Sequence, residues 1–467
     1  MKKNNIQSFF VLLAVAATLQ SCFVAKDYER PDIEEVSSDL YRTDALSSDS
    51  TSMAKVSWQS VFSDPILKEH IASGLENNMD IRIALQRIEV ANAYYKQGRA
   101  GYLPSLNVNA QATHQELSRN SQFGSFFNGG LTQYELNGAL SWEADVWGKI
   151  RSNRRATNAA YLQTVAAHQA VKSQLVSNIA TNYFQLLMLD EQLRVVEETI
   201  ANRLNSVETT KALKEAGQVT EVAVKQTEAQ LKNAEATRLD LLRDILLAEN
   251  TLSILLGTPP QSIARSQLET QELTVAVEMG YPVQLLRNRP DVIAAEYGLI
   301  QAFEMTNVAR SNFYPSLTLS ATGGFQSLEL DEWLSANSLF ANFVAGLAQP
   351  IFNKRQIRTQ YEVAKAQQEE ALLEFRNALL VAGKEVSDAY YAIETATEKV
   401  DVKTDEYEAY NAALVYSEEL LDNGMANYLE VLTARESTLN AQLALAATKF
   451  EKLQATVMLY KALGGGW

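Results

Sequence analysis

Three short stretches of the chain alternate apolar and polar residues at every second position, as a strand with one apolar and one polar face does, and a fourth around 340–351 is less regular. In the first, Leu106, Val108, Ala110 and Ala112 alternate with polar residues, and the stretch after Pro315 repeats the pattern. One polar loop lies between the first and second stretches, and another lies between the third and fourth. We therefore expect four strands, over about 104–117, 132–143, 315–327 and 340–351.

The rest of the chain is rich in Ala, Leu, Gln and Glu, which favour helices. Helices are expected over about 63–101, 145–215, 283–312 and 354–422. The second and fourth contain no proline, and a seventy-residue helix is roughly 100 Å long, which exceeds a compact domain. Gly217 and Gly424 then stand where these helices end, and a further helix follows each glycine. Two long helical hairpins are predicted, with their tips near these glycines.

The chain is an internal duplication. Residues 75–108 match residues 286–319 without a gap, and the residues around Gly217 match those around Gly424. Matches that keep their order along a chain indicate that a whole structural unit is repeated. The predicted segments are a signal peptide at 1–21, an N-terminal arm at 22–62, a first repeat at 63–257, a linker at 258–282 and a second repeat at 283–467.

The N-terminus has the pattern of an export signal. Two lysines precede a mostly apolar stretch over 6–19, which is too short to span a membrane as a helix. Cys22 follows after Gln20 and Ser21 and is the only cysteine in the sequence. This arrangement resembles a bacterial lipobox, in which the thiol receives a diacylglycerol. The alternative is an ordinary signal peptide followed by an accidental cysteine.

Charge and chemistry exclude several classes of function. The formal net charge of −15 argues against nucleic acid as a partner, because phosphate binding requires a basic surface. His70, His114 and His168 are scattered and do not stand at metal-ligand spacing, and no Gly-rich phosphate loop is found. We expect neither an enzyme nor a metal site. The segment 289–291 (Arg-Pro-Asp) is interpreted as a helix start with a structural role.

The predicted strands favour a membrane barrel that several chains share. Four strands cannot close a barrel, and an open strand edge is not tolerated in hydrocarbon. Several chains would therefore have to pool their strands, in a number that physical reasoning leaves open. The alternative is a small soluble β-domain attached to a coiled-coil protein.

Several motifs carry a specific resemblance: LLRNRPDV at 285–292, LSWEADVWGKIRS at 140–152, GMANYLEVLTAR at 424–435, and the paired YLPSL and FYPSL. Together they resemble the TolC-type outer-membrane efflux family, in its OprM/NodT-like lipoprotein branch. The resemblance implies a fold that is mainly α with a small β part. It also implies a homotrimer, with a 12-stranded transmembrane β-barrel in the outer membrane and an α-barrel extending into the periplasm.

The resemblance also implies a function. The chain would be the exit duct of a tripartite RND-type efflux system for drugs or other small molecules. Its partners would be a periplasmic adaptor protein, an inner-membrane RND transporter and the lipid of the outer membrane, and its only cofactor would be the covalent lipid on Cys22. The alternatives are a duct for metal-ion efflux or type I protein secretion and, more remotely, a lipid-anchored coiled-coil scaffold of the envelope.

Within this family the hairpin tips form the periplasmic entrance and the docking site for the adaptor. The docking residues expected here are Gly217, Gln218, Val219, Thr220, Gly424, Met425, Ala426 and Asn427. Glu430 takes the place of the family's first inward-facing acid and is the gate candidate, unless it is only a solvated helix residue. The family's second acidic position is occupied here by Thr433. In the first repeat, Ala223 occupies the position equivalent to Glu430. Trp142 and Trp147 are candidates for a membrane-interface anchor or for packing where strand meets helix.

Overall fold

A computed structural model of the chain describes residues 24–32, 40–41, 52–118, 120, 122, 130–271 and 282–467. The helices of the first repeat are α1 (Trp58–Val61), α2 (Pro65–Asn77), α3 (Met79–Ala100), α4 (Lys149–Glu215) and α5 (Glu221–Leu255). Those of the second are α6 (Leu285–Asn288), α7 (Pro290–Ser311), α8 (Gln356–Asp422) and α9 (Tyr428–Ala462). The strands are β1 (Ser105–Gln115), β2 (Leu131–Ala144), β3 (Ser316–Ser327) and β4 (Leu339–Ala348). The predicted mainly helical, duplicated fold class with four strands is confirmed.

The four strands form one antiparallel sheet in the order β1-β2-β3-β4. Leu106 lies opposite Leu140 in the first pairing, and Leu317 lies opposite Leu347 in the third. Directly opposite residues share a face, so the alternation in β1, β2 and β3 sorts apolar side chains to one side of the sheet and polar ones to the other, whereas β4 also places Phe340 and Val344 on the polar side. The strands β1 and β4 form its two edges.

The described chain folds as two compact units. One comprises the described parts of Met1–Asp32, Ile88–Gln163 and Ala295–Phe375, and it contains the whole sheet. The other comprises the described parts of Ile33–Arg87, Thr164–Ala294 and Arg376–Trp467. Each unit takes segments from both repeats, so the compact units cut across the repeats that the sequence delimits.

The helices of the two hairpins have the same lengths in both repeats. Both α4 and α8 contain 67 residues, and both α5 and α9 contain 35. The loop at 116–130 between β1 and β2 is four residues longer than the loop at 328–338 between β3 and β4. Numbering therefore differs by 211 between matching positions before this loop and by 207 after it.

The helical stretch expected over 63–101 is divided into α2 and α3 at Asn78. Its backbone is extended, with φ −59° and ψ 135°. Its side-chain oxygen accepts hydrogen bonds from the main-chain N–H of Asp80 at 2.8 Å and of Ile81 at 3.3 Å. Its side-chain amide donates to the carbonyl of Leu255 at 2.9 Å. Asn78 thus caps α3, a role that asparagine favours.

The matching break in the second repeat falls at Arg289, between α6 and α7. This side chain is only 5% exposed and forms ion pairs with Asp291 and with Glu385 at 2.7 Å. It also donates to the carbonyl of Ala462 at 3.0 Å. Burial by itself would lower the pKa of Arg289, but the two carboxylates outweigh it and raise the pKa. These contacts agree with the structural role that the sequence assigns to 289–291.

Asp64, the N-cap of α2, contacts the described part of the predicted linker. The Asp64 carboxylate accepts hydrogen bonds from two linker side chains, Gln271 at 3.0 Å and the Ser266 hydroxyl. It also accepts one from the Tyr183 hydroxyl of α4 at 2.7 Å. Burial alone would raise the pKa of Asp64, but these hydrogen bonds outweigh it and hold the pKa below its usual value.

Candidate functional site: the hairpin tips

The first tip (residues 211–228) turns at Gly217. The glycine has φ +75°, a left-handed conformation that costs side-chain-bearing residues free energy. Its N–H donates to the carbonyl of Lys214 at 2.9 Å, and the N–H of Gln218 donates to Leu213 at 2.9 Å. These two bonds form a Schellman motif, which satisfies the last carbonyls of α4.

The second tip (residues 418–435) repeats this backbone at Gly424, which has φ +69°. Here the N–H of Gly424 donates to Leu421 at 2.9 Å, and that of Met425 donates to Leu420 at 2.8 Å. At both glycines an added Cβ would meet no heavy atom of the described residues within 4 Å. Each turn is therefore open to a binding partner.

The structure places the eight predicted docking residues on these two turns. Six are exposed, and the remaining two, Val219 and Ala426, are half-buried. Met425 is 72% exposed, which is high for a large apolar side chain. Exposed apolar and small residues at a turn are suited to protein contact. Their role in docking stays a prediction.

The returning helices begin differently at the two tips. Asn427 caps α9, since its side-chain oxygen accepts from the N–H of Glu430 at 3.1 Å. The Asn427 side-chain amide donates back to the Glu430 carboxylate at 2.8 Å. At the matching position in the described first tip, the Thr220 side chain makes no capping hydrogen bond. Glu430 thus has a structural partner on its own helix, and it is exposed.

Ion pairs join the two helices of the first tip. Lys214 pairs with Glu221 at 2.6 Å, and Lys211 pairs with Glu228 at 3.0 Å. Lys225 also contacts Glu228 at 2.9 Å. Hydrogen bonds from Lys225 and then Lys211 lower the pKa of the Glu228 carboxyl to about 2.

The second tip has a cross-helix ion pair at the same two positions. Arg435 of α9 binds Glu418 of α8 at 2.6 Å, and it also donates to the Ser206 hydroxyl of α4. Arg203 of α4 is 3% exposed and pairs with Glu436 of α9 at 2.6 Å. Its guanidinium also donates to the carbonyl of Gln230. These arginines link the two hairpins.

Sequence reasoning missed these arginine contacts. Arg203 and Glu436 are 233 residues apart, so local spacing contains no signal for their pairing. A signal did exist for Arg435 and Glu418, because these two residues of opposite charge are only 17 positions apart, on either side of the turn at Gly424. Opposite charges on the two sides of each glycine could have been sought.

A cavity of about 1340 Å³ lies between the four helices of the tips. Its described lining includes Tyr428, Leu429 and Val431 of α9, but not Glu430. Polar side chains contribute much of the lining, among them Asn202, Asn205, Asn411, Gln442 and Arg435. The gate role predicted for Glu430 is therefore separate from this cavity. Thr433, at the family's second acidic place, donates its hydroxyl to the carbonyl of Leu429 at 2.9 Å.

Both tryptophan candidates are engaged where strands meet helices. The Trp142 ring nitrogen donates to the carbonyl of Tyr102 at 2.9 Å, and that of Trp147 donates to Pro315 at 2.7 Å. Trp147 also stacks on Tyr314, with ring centroids 4.9 Å apart. These contacts agree with the packing alternative. A role at a membrane interface stays a prediction.

The predicted signal peptide and Cys22 lie outside the described residues. The chain that follows is held against α7: Asn307 donates to the carbonyl of Lys26 at 2.9 Å and accepts from its N–H at 3.2 Å. Arg30 forms a bidentate pair with Glu296, at 2.6 and 2.8 Å. The arm therefore runs from the strand end of α7 toward its N-terminus.

The histidines make ordinary polar contacts where the structure gives them. His70 bonds to the carbonyl of Ala264 at 2.8 Å, and His114 bonds to the Thr132 hydroxyl at 2.8 Å. Among the residues that the structure describes, no three His, Cys, Asp or Glu side chains cluster closely enough to hold a metal ion. Within the same ranges, none of the helices combines the length and the apolar content that a membrane span requires.

A family model described as "Outer membrane efflux protein" matches residues 71–258 and 281–465, which together make up most of the chain. The chain belongs to the outer membrane efflux protein family. The two matched segments follow the two repeats, and the break between them falls in the predicted linker. The family, the efflux duct function and the outer-membrane location expected from the sequence are confirmed.

Individual relatives are similar to this efflux protein over nearly its whole length. The toluene efflux pump outer membrane protein TtgF of Pseudomonas putida is 29% identical, over 99% of this chain and 98% of its own. The cation efflux system protein CusC of Escherichia coli is 28% identical, over 97% of each chain. The solved outer-membrane channel OprN superposes with a TM-score of 0.88 at 24% identity, over 96% of this chain and 100% of its own. The last likeness supports the fold alone.

Proposed function

We propose that this efflux protein is the outer-membrane exit duct of a tripartite RND-type system that exports drugs or other small organic molecules. The duct is passive, and an inner-membrane RND transporter supplies the energy. The similarity to a toluene pump component along 99% of the chain supports a small organic cargo. The scaffold alternative explains neither that similarity nor a sheet with one apolar face.

The assembly in this proposal is a homotrimer. Each chain supplies a sheet of four strands with two open edges, β1 and β4. An open edge leaves backbone N–H and C=O groups without partners, which lipid cannot satisfy. Three copies would pool twelve strands and leave no edge, and the duplicated hairpins of the three copies would form the α-barrel.

The adaptor protein docks at the hairpin tips in this proposal. The observation that carries it is the pair of identical, open Schellman turns at Gly217 and Gly424. A trimer presents six such turns, which offers an adaptor repeated and nearly equivalent docking places. The exposed Met425 beside the second turn supplies an apolar contact.

A photo-crosslinking experiment in cells tests both partners. A photoreactive amino acid replaces Gln218 in one variant and Met425 in another, and Leu239 of α5, 65% exposed, is the matched control position. We expect irradiation to link the two tip variants, and not the control, to an adaptor that copurifies with an RND transporter. Capture of an ABC-type secretion partner would replace the proposal with type I protein secretion. Capture of structural envelope proteins alone would favour the scaffold.

Cation export is the second candidate, because CusC, a cation efflux system protein, is 28% identical over 97% of this chain. The same crosslinking experiment separates the candidates through the transporter that it recovers. Deleting that transporter should sensitise cells either to organic compounds such as toluene or to metal cations. Sensitivity to metal cations only would overturn the organic cargo.

The gate proposal for Glu430 is tested by Glu430→Gln in trimers reconstituted in planar bilayers. Glutamine keeps the shape and hydrogen-bonding capacity of a capping-box residue, so α9 should remain intact. We expect lower cation selectivity, because a ring of like charges near a narrow pore attracts cations. Unchanged selectivity would leave Glu430 with its capping contact to Asn427 alone.

The lipid anchor in this proposal is the thiol of Cys22, two residues before the held arm begins at Val24. Cells grown with a fatty-acid analogue should label the wild-type protein. The variant Cys22→Ser should show no label. Equal labelling of the two would place the lipid elsewhere or remove it from the proposal.

A further inference from the structure

The two repeats pass from strand to long helix through unlike junctions. The first junction (residues 145–148) connects β2 to α4, and the second junction (residues 349–355) connects β4 to α8. Matching positions differ by 207, so the residues Asp145, Trp147 and Gly148 correspond to Phe352, Lys354 and Arg355. Because the repeat gives both junctions the same place at the helix end of the sheet, their different residues indicate different contacts.

The first junction is covered by its own chain. Asp145 caps the start of α4 by accepting hydrogen bonds from two main-chain N–H groups, both at 2.8 Å. Trp147 stacks on Tyr314, which precedes β3. Gly148 is buried, and a Cβ added there would lie 2.9 Å from the side chain of Ala25 in the N-terminal arm. The arm and the sheet therefore leave little of this junction accessible.

The second junction exposes apolar and basic side chains together. Ile351 is 78% exposed and Phe352 is 98% exposed. They continue the apolar surface of β4, where Leu347 is 69% exposed. Lys354 and Arg355 are exposed as well, and Lys354 forms no ion pair within the described part of the chain. This surface lacks the cover that the first junction has.

The backbone of the second junction is strained. Lys354 and Arg355 have φ of +53° and +66°, and among the described residues no others except glycines have positive φ. Gly148, at the position of Arg355, has φ +78°, so both repeats share the left-handed turn. Arginine has a steric cost in this conformation that glycine avoids. Its ion pair with Glu362 is exposed and offsets little of that cost. Such strain indicates a functional contact.

We propose that the second junction binds the headgroup of an anionic phospholipid in the periplasmic leaflet of the outer membrane. Lys354 and Arg355 contact the phosphate, and Ile351 and Phe352 lie among the acyl chains. This inference rests on the membrane arrangement of the proposed function, in which the sheet crosses the hydrocarbon and the helices extend into the periplasm. The junction then lies at the boundary of water and lipid, where aromatic and long basic side chains act as anchors.

A phospholipid complements both parts of this surface. Residues 351–358 include three cations and no acid, in a chain with a formal net charge of −15. A basic segment beside a membrane attracts the phosphates of anionic lipids. The acyl chains of the same molecule cover Ile351 and Phe352. An acidic peptide would neutralise the cations but would leave these two apolar side chains uncovered.

The N-terminal arm explains why only one repeat requires a bound lipid. Ala25 of the arm lies against the first junction, and Cys22, three residues earlier, is the proposed attachment site of the covalent lipid. A chain has one N-terminus and two repeats, so its second junction receives no arm of its own. A bound phospholipid supplies at the second junction the lipid contact that the arm supplies at the first.

Native mass spectrometry of the full-length protein in detergent tests the site. We expect the protein to retain added phosphatidylglycerol in preference to phosphatidylcholine. Each basic residue near an anionic lipid raises affinity about fivefold, so Lys354→Gln with Arg355→Gln should weaken phosphatidylglycerol binding roughly 20- to 30-fold. The control, Lys384→Gln with Lys399→Gln, removes the same charge about 40 Å or more along α8. An equal loss in the control would reduce the effect to net charge and overturn the site.

Arg355→Gly separates lipid binding from folding. Glycine adopts the left-handed backbone without steric cost, so this variant should keep or raise the melting temperature. Its binding of phosphatidylglycerol should nevertheless fall about fivefold. Unchanged binding in this variant and in the double variant would overturn the proposal.

Fluorescence quenching in proteoliposomes shows whether lipid covers the second junction. A bimane dye on Phe352→Cys should be quenched by phospholipids brominated high in the acyl chain. A dye on Leu373→Cys, at a 55% exposed position about 25 Å along α8, should not be quenched. A dye on Phe343→Cys, within β4, reports on the sheet itself, and the wild-type chain reports any labelling of Cys22.

The outcomes separate the lipid site from the membrane arrangement. Quenching at position 343 but not at position 352 would overturn the lipid site, because water or another protein surface would then cover the junction, and would leave the sheet in the membrane. The absence of quenching at both positions would overturn the membrane arrangement of the proposed function together with the lipid site.

Discussion

In the first tip, Lys211 of α4 pairs with Glu228 of α5, whereas the matching positions of the second tip hold Glu418 and Arg435. The contact is the same and its charges are exchanged. The backbone turns match as well, with left-handed glycines and the same Schellman bonds. Duplication has therefore kept the geometry of the tip while its stabilising side chains diverged, because any complementary pair serves at these positions.

The two tips also differ in how deeply their ion pairs are buried. At the first tip the ion pairs are largely exposed, with Lys214 at 48% and Glu221 at 53%. At the second tip Arg435 is 27% exposed and bonds to a second helix hairpin through Ser206. Exposed pairs contribute little to stability and are screened by salt, whereas partly buried ones are screened less. We expect the first tip to open more readily than the second.

The largest effect should come from Arg203, which has no counterpart in the repeat, since the matching positions of Arg203 and Glu436 hold Tyr410 and Ala229. Replacing this buried arginine by methionine leaves the Glu436 carboxylate without its partner. Glu436 is 37% exposed, so water can solvate part of its charge, and we expect the variant Arg203→Met to lower the opening free energy of the surrounding amides by about 2 kcal/mol. Hydrogen exchange with mass spectrometry measures it in the detergent-solubilised protein.

Arg194→Met is the matched control for Arg203→Met. Arg194 lies on the same helix and pairs with Glu191 and Glu198, but it is 48% exposed. Its loss should cost less than about 1 kcal/mol. Equal effects of the two substitutions would mean that burial of Arg203 does not matter.

The two glycine turns should be destabilised equally when alanine replaces the glycine. Alanine at position 217 or 424 must adopt a left-handed backbone, at a cost of about 1–2 kcal/mol. No described heavy atom lies within 4 Å of the added Cβ at either site, so the cost is conformational in both variants. Local hydrogen exchange at each tip should change equally in Gly217→Ala and Gly424→Ala. A clear inequality would show that the two turns differ in more than side chains.

The helix caps should respond unequally. Asn427→Ala removes two hydrogen bonds to Glu430 and should destabilise the start of α9 by about 1 kcal/mol. Thr220→Ala removes no capping bond of the described structure and should change little at the start of α5. Exchange rates of the first-turn amides of each helix give the comparison. A larger effect at Thr220 would contradict the capping geometry.

The smallest expected effect is a loss of stability of the first tip at acidic pH. The pKa of Glu228 is lowered from 4.5 to about 2 by its lysine partners. A carboxyl whose pKa is lowered in the folded state stabilises the fold at pH values above its unfolded-state pKa. That stabilisation disappears as the pH falls through the folded-state pKa. Pepsin cleavage near Leu213 should therefore increase as pH falls from 4.5 toward about 2. Glu228→Gln should flatten this increase, and cleavage at the second tip provides the internal reference.

The parts of the fold that could be predicted are those with a local pattern. Period-two alternation indicated the strands, and Gly217 and Gly424 indicated the turns, because glycine adopts φ > 0 without strain. Asn78 could have been recognised as a cap, since asparagine is favoured at that position, but the whole range 63–101 was expected to be helical. Lys354 and Arg355 could not be foreseen, since they adopt φ of +53° and +66° without being glycine.

The candidate site was only partly predictable. Its exposed turns follow from two glycines and their neighbours, which the sequence identifies directly. The contacts that join the hairpins depend on residues far apart, such as Arg435 and Ser206, separated by 229 positions. Such contacts are decided by how helices pack, and one sequence contains no record of that.

The equal lengths of the hairpins have a consequence for how this protein can evolve. Each hairpin is built from helices of 67 and 35 residues, and the four-residue difference between the repeats falls in a strand loop. Deleting seven residues from α4 alone would shorten that arm by about 10 Å and misalign it with its return helix. A change of length in one arm is tolerable only if its return helix and the other repeat change with it. Insertions should therefore accumulate in the strand loops, while hairpin length is inherited as a unit.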